Sequence, residues 1–459
     1  MRRRSRLSTP ALHVAVSFLA LLAAATPAGE AVAAEAHRSP PNVLLVSVDT
    51  LRADHLSGYG YERETSPEID RLLATGARFD AARTVEPLTS PAVASMITSL
   101  YPHEHGSTRN GVGVRPGLPS LARELDERGY QTAAFIANWT IRDKMSNLGE
   151  HFQLYEEVLT RKRWFGLVAG EATAADVNEA VVAWLDEHAG RRRPFFAWVH
   201  YVEPHSPYEY QGEVAVRLGL GDRSRVTRTD RYDTEVAFVD HYVGQLMRRI
   251  ADDEALAGNT LVVFTSDHGE SLGEHGYWGH GKKLYEPGLH IPLAFHWPGK
   301  VRAQQVTAPA SILDVPPTVL GLLGLPVPEG YRGYDWSGVL TAGATPPAER
   351  TLWFQAHKGA VVDHADSARS RLDGLIGFAM IDGTTKEIVK PDRKLHELFD
   401  LSRDPEETKN LNGDGFQPSE RLRGWMEAVE KGLKAVGDLP IRDLDEEEIE
   451  KLRSLGYID

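Results

Sequence analysis

Two short apolar runs that each stop at an aspartate constrain this chain more than any other feature. Val43-Leu-Leu-Val-Ser-Val48 runs into Asp49, and Leu261-Val-Val-Phe-Thr-Ser266 runs into Asp267-His268-Gly269. Short β-branched runs without alternating polar residues fit strands buried on both faces of a parallel sheet. Phe195-Phe-Ala-Trp-Val199 reads the same way. Between these runs, residues 66–75, 118–128, 174–188 and 230–250 carry apolar residues at helical spacing. Strands alternating with helices predict an α/β fold whose central, mostly parallel sheet is covered on both sides. Ligands of such sheets bind at the carboxyl ends of the strands, where Asp49 and Asp267 stand.

The chain has 459 residues, room for one large α/β domain and a smaller one. A stretch rich in Gly and Pro near 326–347 predicts the boundary, with a catalytic domain over 41–325 and a C-terminal subdomain over 350–459. In the latter, Gly377-Phe-Ala-Met-Ile381 and Glu387-Ile-Val389 read as strands of a small antiparallel sheet. Residues 445–455 read as a helix capped by Asp445 and Glu448 and ended by Gly456.

Residues 1–33 read as an export signal, with basic Met1-Arg-Arg-Arg-Ser-Arg6, an apolar stretch over 11–25 and small Ala31-Val32-Ala33. The expectation is an exported, periplasmic or extracellular protein that meets a membrane only through this segment. The apolar stretch is short for a span. The chain has no cysteine and so neither a disulfide nor a lipid-bearing thiol, and its net charge of −14 argues against nucleic acid as a partner. Asn138-Trp-Thr140 matches a glycosylation sequon.

Asp49, Asp267 and His268, gathered at neighbouring strand ends, offer a divalent cation two carboxylates and an imidazole. The expected cofactor is a single ion, Mn²⁺ or Ca²⁺ first, Zn²⁺ or Mg²⁺ behind. Pro87-Leu-Thr-Ser-Pro91 opens a segment of small and apolar residues, with Pro91 suited to a first helical position. Thr89 then lies at a helix N-terminus, where the dipole and free N–H groups favour an alkoxide or a bound oxyanion. His200 and His205, just past a predicted strand, and His280, in Gly279-His-Gly281, are candidates for holding such an oxyanion. His205 and His280 are also candidates for protonating a leaving group.

In order along the chain, these motifs resemble the sulfatase family of the alkaline phosphatase superfamily. Asn42 to Asp54 looks like its first metal-binding strand, Pro87 to Pro91 running on to Tyr101-Pro-His-Glu-His-Gly106 like its nucleophile segment, and Thr265-Ser-Asp-His-Gly-Glu270 like its second metal motif. Residues 397–411 and 452–457 also fit. The resemblance implies an alkaline-phosphatase-like sandwich with a small C-terminal α+β subdomain. It also implies an ester hydrolase whose metal is held by Asp49, Asp267, His268 and Thr89 Oγ1.

Several departures stand beside these matches. The sulfatase signature begins with a Cys or Ser that becomes formylglycine and ends with Arg; this register reads Thr89-Ser-Pro-Ala-Val93. Thr50 replaces a second acidic residue, Gly-Lys-Trp-His is absent after Gly129-Tyr130, and His280 stands where a lysine is common. The pattern looks closer to members with an unmodified threonine that act on phosphodiesters or phosphonate monoesters. The expectation is therefore a covalent Thr89 intermediate on such an ester of a small molecule, lipid or polysaccharide. A sulfate-ester hydrolase, a membrane head-group transferase and a non-catalytic binding protein are the alternatives.

Overall fold

In the computed structural model the first apolar run is strand β1 (Asn42–Val48), followed by helix α1 (Pro67–Thr75), β2 (Ala77–Phe79) and helix α2 (Thr89–Thr98). Next come β3 (Gln131–Ile136), β4 (Leu154–Glu157), α3 (Ala174–His188), β5 (Phe195–Tyr201), α4 (Arg228–Ala251), β6 (Thr260–Ser266), β7 (Leu293–His296) and β8 (Gln304–Val306). The structure describes residues 40–159, 162–163, 168–169, 172–188, 193–359, 374–413, 415–437, 445–446 and 450. The export signal over 1–33 lies outside these residues, as does the tail helix over 445–455 apart from Asp445, Glu446 and Glu450.

The eight strands form one sheet in the order β8-β2-β7-β6-β1-β5-β3-β4. β1 pairs in parallel with β5 and β6, and β3 with β4 and β5, whereas β7 runs antiparallel to β2 and β6. The unbroken apolar character of β1 follows from its place in the middle. Val43 and Leu45 pack in a layer with Val93, Met96 and Ile97 of α2. Leu44, Val46 and Val48 pack in the opposite layer with residues of α1, α3 and α4. Burying such side chains on both faces stabilises each by about 1.5–3 kcal/mol. Among the described residues, no helix is long and apolar enough to cross a membrane.

A second sheet, β9 (Thr351–His357), β10 (Leu375–Asp382), β11 (Thr385–Lys390) and β12 (Leu395–Asp400), is antiparallel with strands in chain order. Helix α5 (Glu420–Val436) covers one face through Leu422, Val429 and Leu433. The other face buries Leu284 and Leu289, which come from the segment following β6. The Gly- and Pro-rich stretch between the sheets is anchored: Trp336 is fully buried and its Nε1 donates to Asp314 Oδ2 at 2.9 Å.

Three local readings of the sequence are corrected. The helix expected over 118–128 forms only over Leu121–Asp126, because Ser120 caps it by accepting from Arg123 N at 3.1 Å. Helix α2 begins at Thr89, so Pro91 sits inside the first turn, where its missing N–H costs nothing. His200 lies within β5, because that strand runs two residues beyond its apolar core.

Candidate active site

Strand register builds the site. Val48 of β1 stands beside Ser266 of β6, so the next residues, Asp49 and Asp267, emerge side by side. The turn after β1 is then fixed from several directions. Thr50 takes a left-handed conformation (φ 54°), and its N–H donates to Asp267 Oδ1 at 3.2 Å. Leu51 N donates to Ser266 Oγ at 3.1 Å, while Tyr232 of α4 donates its hydroxyl to Thr50 O and accepts from Arg52 N.

His268 presents a bare nitrogen to this pair. Its Nδ1 lies 2.8 Å from Gly269 O, which can only accept, so the ring proton is on Nδ1 and Nε2 carries a lone pair. That Nε2 is 3.5 Å from Asp267 Oδ2, 3.7 Å from Asp49 Oδ1 and 3.2 Å from Thr89 Oγ1. Burial lowers the His268 pKa to about 3, which keeps the ring neutral and free to ligate. Burial also pushes Asp267 above the ordinary carboxylate range. Its Oδ1 accepts from Thr50 N and His268 N, but its Oδ2 has no hydrogen-bond partner among the described residues. Ligand atoms of Asp49, Asp267 and His268 all lie within 4.8 Å of one another, the one such grouping among the described residues. Two carboxylates, one orphaned oxygen and a neutral imidazole oriented by a backbone carbonyl fit a divalent cation.

Thr89, the first residue of α2, is fully buried, and its hydroxyl can donate to His268 Nε2. The helix behind it is buried along its whole length, which fixes the direction of its N-terminus. His200 sits across from Ser47 in the β1–β5 pairing. Trp198 Nε1 donates to Ser47 Oγ at 2.8 Å, so the Ser47 hydroxyl gives its proton to His200 Nδ1, also at 2.8 Å. The His200 proton is thereby placed on Nε2, 4.0 Å from Asp49 Oδ2, and burial lowers the ring's pKa to about 4.

His205 and His280 complete the group, with ring centroids 5.2 Å apart and His280 4.6 Å from His268. Their charge states diverge. Burial, with the neighbouring His280 and His268, holds His205 well below the ordinary imidazole value. Burial acts the same way on His280, but Glu270, whose Oε1 lies 3.2 Å from Nδ1, and Asp267 outweigh it and raise the pKa. One imidazole is thus kept neutral and its neighbour is made easier to protonate, the separation of roles that acid–base chemistry needs.

All seven residues singled out in the sequence (Asp49, Thr89, His200, His205, Asp267, His268 and His280) meet in this one place. Sequence reasoning missed Glu270, Tyr232 and Asn138. Asn138 is not a glycosylation site in this fold: it is fully buried, and its amide donates to Asp49 Oδ2. The available signal was its position two residues beyond the end of β3, at the same sheet edge as Asp49 and Asp267.

Comparison with known proteins agrees with this geometry. The sulfatase family model matches residues 41–325. The chain belongs to the sulfatase family. A second model, the C-terminal part of N-sulphoglucosamine sulphohydrolase, matches residues 273–423 of this sulfatase. It is 25% identical to the uncharacterised sulfatase YidJ of Escherichia coli (strain K12) over 434 residues, 82% of this chain and 83% of the relative. It is also 25% identical to N-acetylgalactosamine-6-sulfatase of Homo sapiens, over 86% of each chain. Among solved structures, the phosphonate monoester hydrolase of Agrobacterium radiobacter superposes with a TM-score of 0.64 at 22% identity, covering 89% of this chain and 99% of its own. A structure in complex with D-glucosamine-2-N,6-O-disulfate gives 0.66 at 19% identity, covering 88% and 100%. The protein is an ester hydrolase of this family.

Proposed function

We propose that the protein hydrolyses a singly charged phosphodiester or phosphonate monoester through a covalent intermediate on unmodified Thr89. The observation that carries this reading is the fully buried Thr89 hydroxyl, at the head of α2 and 3.2 Å from the bare Nε2 of His268. A divalent cation held by Asp49, Asp267 and His268 would favour the Thr89 alkoxide and stabilise the charge developing on the transferred group. The helix N-terminus adds its dipole to the same end. With its proton given up to solvent before the ester binds, Thr89 Oγ1 attacks in line as the alkoxide and forms a bond to the central atom, while the bond to the alcohol oxygen breaks. Cationic His280, its Nδ1 held by Glu270, gives a proton to that oxygen, and the alcohol leaves. A water then attacks the phosphothreonine; one proton passes to the now neutral His280, the other stays on the product, and Thr89 is regenerated.

Two features support phosphorus as the centre. Threonine cannot become an aldehyde hydrate, so the intermediate has no second hydroxyl through which to eliminate and must be opened by water at the central atom. In addition, Val93 stands where the signature has arginine, which removes one cation that a dianionic group would use and suits a monoanionic ester. The second reading is sulfate-ester hydrolysis, supported by the names of the relatives.

A turnover panel decides between them. It sets a chromogenic phosphate diester, a phosphonate monoester and a sulfate monoester against metal-free protein reloaded with Mn²⁺, Ca²⁺, Zn²⁺ or Mg²⁺. The expected result is the highest kcat/KM on a phosphorus ester. Turnover of the sulfate ester alone would reverse the order of the two readings.

A further inference from the structure

Asn138 holds an amide group whose second N–H makes no hydrogen bond among the described residues. The amide's orientation is settled by its neighbours. Oδ1 accepts from Thr140 N, which can only donate, and from Thr140 Oγ1, both at 2.7 Å, so the nitrogen is the atom that meets Asp49 Oδ2. One N–H therefore serves Asp49. The two N–H bonds of a planar amide diverge, so the other is not directed at Asp49 Oδ2. Asn138 is fully buried and makes no other hydrogen bond among the described residues. A buried donor left empty is destabilising, and native folds retain few of them.

The structural role of Asn138 does not account for its nitrogen. The side chain caps the short turn Trp139–Ile141, and capping uses only Oδ1. Aspartate or serine would cap the same turn. The amide instead supplies a neutral donor where a second carboxylate would repel Asp49. The frame around it is shared with the nucleophile, since Ser90 Oγ donates to Thr140 O at 3.1 Å and Ser90 N donates to Asn110 Oδ1 at 3.0 Å. Donor and nucleophile are thus held by one network, adjacent to Asp49.

We propose that Asn138 is a catalytic residue whose free amide N–H donates to a non-bridging oxygen of the transferred group and strengthens as charge gathers there. This rests on the Thr89 reading above. A fixed donor of this kind, in a site closed to water, is worth about 10²- to 10³-fold in kcat.

The test uses Asn138→Ser and Asn138→Asp, both of which keep the capping oxygen, with Thr89→Ala alongside. Thermal melting confirms folding. Calorimetry on metal-free protein measures Mn²⁺ affinity, and kcat and KM are taken at saturating metal. Orthovanadate, a mimic of the five-coordinate group, is titrated into each loaded variant. Asn138→Ser is expected to bind the ion about 10- to 100-fold more weakly, because Asp49 loses its partner. Asn138→Asp, which gains a carboxylate, should bind it at least as tightly as the parent. Both should lose about 10²-fold or more in kcat that saturating metal does not restore, with little change in KM and weaker vanadate binding. Recovery of kcat at saturating metal, or unchanged vanadate affinity in both variants, would overturn the proposal and leave Asn138 as a positioning residue for Asp49. Near-native turnover by Thr89→Ala would sink the covalent mechanism separately, and the vanadate arm would still decide the donor.

Discussion

Thr89 is the residue whose replacement separates chemistry from folding. Its side chain is small, and the helix behind it is held by Val93, Met96 and Ile97 in the core, so Thr89→Ala should fold normally. Turnover is expected to fall by roughly 10⁴-fold or more, the scale of losing a nucleophile. Thr89→Ser keeps the attacking oxygen and should retain measurable activity. Intact-mass and peptide spectra should show plain threonine at this position. His280 gives a graded result: His280→Ala should slow esters of poor leaving groups by about 10²- to 10⁴-fold while sparing activated aryl esters. Equal losses on both kinds of substrate would assign His280 to positioning instead. Asp267→Ala is the direct test of the cation pocket, since it removes the orphaned Oδ2 and leaves one carboxylate for a dication. Metal bound per chain, read by atomic emission after dialysis, should drop to near zero. Full occupancy would remove these residues from the metal site.

At the scale of elements, a pH-sensitive group sits beside the short helix Leu121–Asp126. His151 is buried beside it, and its Nδ1 accepts from Arg123 Nε at 3.1 Å and lies 2.9 Å from Ser120 Oγ. Burial, with the Arg123 charge, lowers the ring's pKa to about 4. The unfolded chain takes up this proton near 6.5, whereas the fold resists it. Stability from this group is therefore full above pH 6.5, is lost as pH falls from 6.5 to about 4, and changes no further below. His151→Gln should flatten that part of the stability curve relative to the parent, measured by urea unfolding at several pH values. An unchanged slope would show that His151 is not responsible. Elements of this kind also mark how far the sequence could be read. β1, β5 and β6 were legible because burial on both faces leaves a run of Val, Leu and Phe, and their ends located Asp49 and Asp267. Helix α3 was legible to the residue because it buries one face, with Ala174, Val177, Val181 and Leu185 at helical spacing. Asn138 and Glu270 were hidden because their roles depend on which strand ends meet. Asn138 reaches Asp49 only because β3 pairs with β5 and β5 with β1, an order that local sequence does not state. The helix over 118–128 was overestimated because periodicity ran past the Ser120 cap.

For the whole molecule, the question is how the C-terminal sheet and the catalytic layer hold one another. β9 runs past the segment that leads into Thr89: Gln355 N donates to Val85 O, and His357 N donates to Glu86 Oε1, each at 3.1 Å. Deeper in the contact, Lys386 of β11 is completely buried between Glu407 (2.7 Å) and Glu286 (2.9 Å), and Arg83 pairs with Glu286 from the other side at 2.7 Å. These charges belong to both layers, so the network ties β11 to the residues following β6. Removing one partner of a buried set costs about 3–5 kcal/mol, because the remaining charge loses its compensation in a dry site. Glu286 keeps Arg83, so the stranded group is Glu407, whose pKa burial already pushes above the ordinary carboxylate value. Lys386→Met should therefore lower the melting temperature markedly, and adding Glu407→Gln should recover a large part of the loss. Neither residue touches the cation pocket, so kcat at a temperature where both variants are folded should stay near the parent value. Melting curves for the parent, both single variants and the double variant complete the cycle. Strictly additive losses would show that Lys386 and Glu407 are neighbours without energetic coupling, and would leave apolar packing around Leu284 and Leu289 as what holds the two layers together.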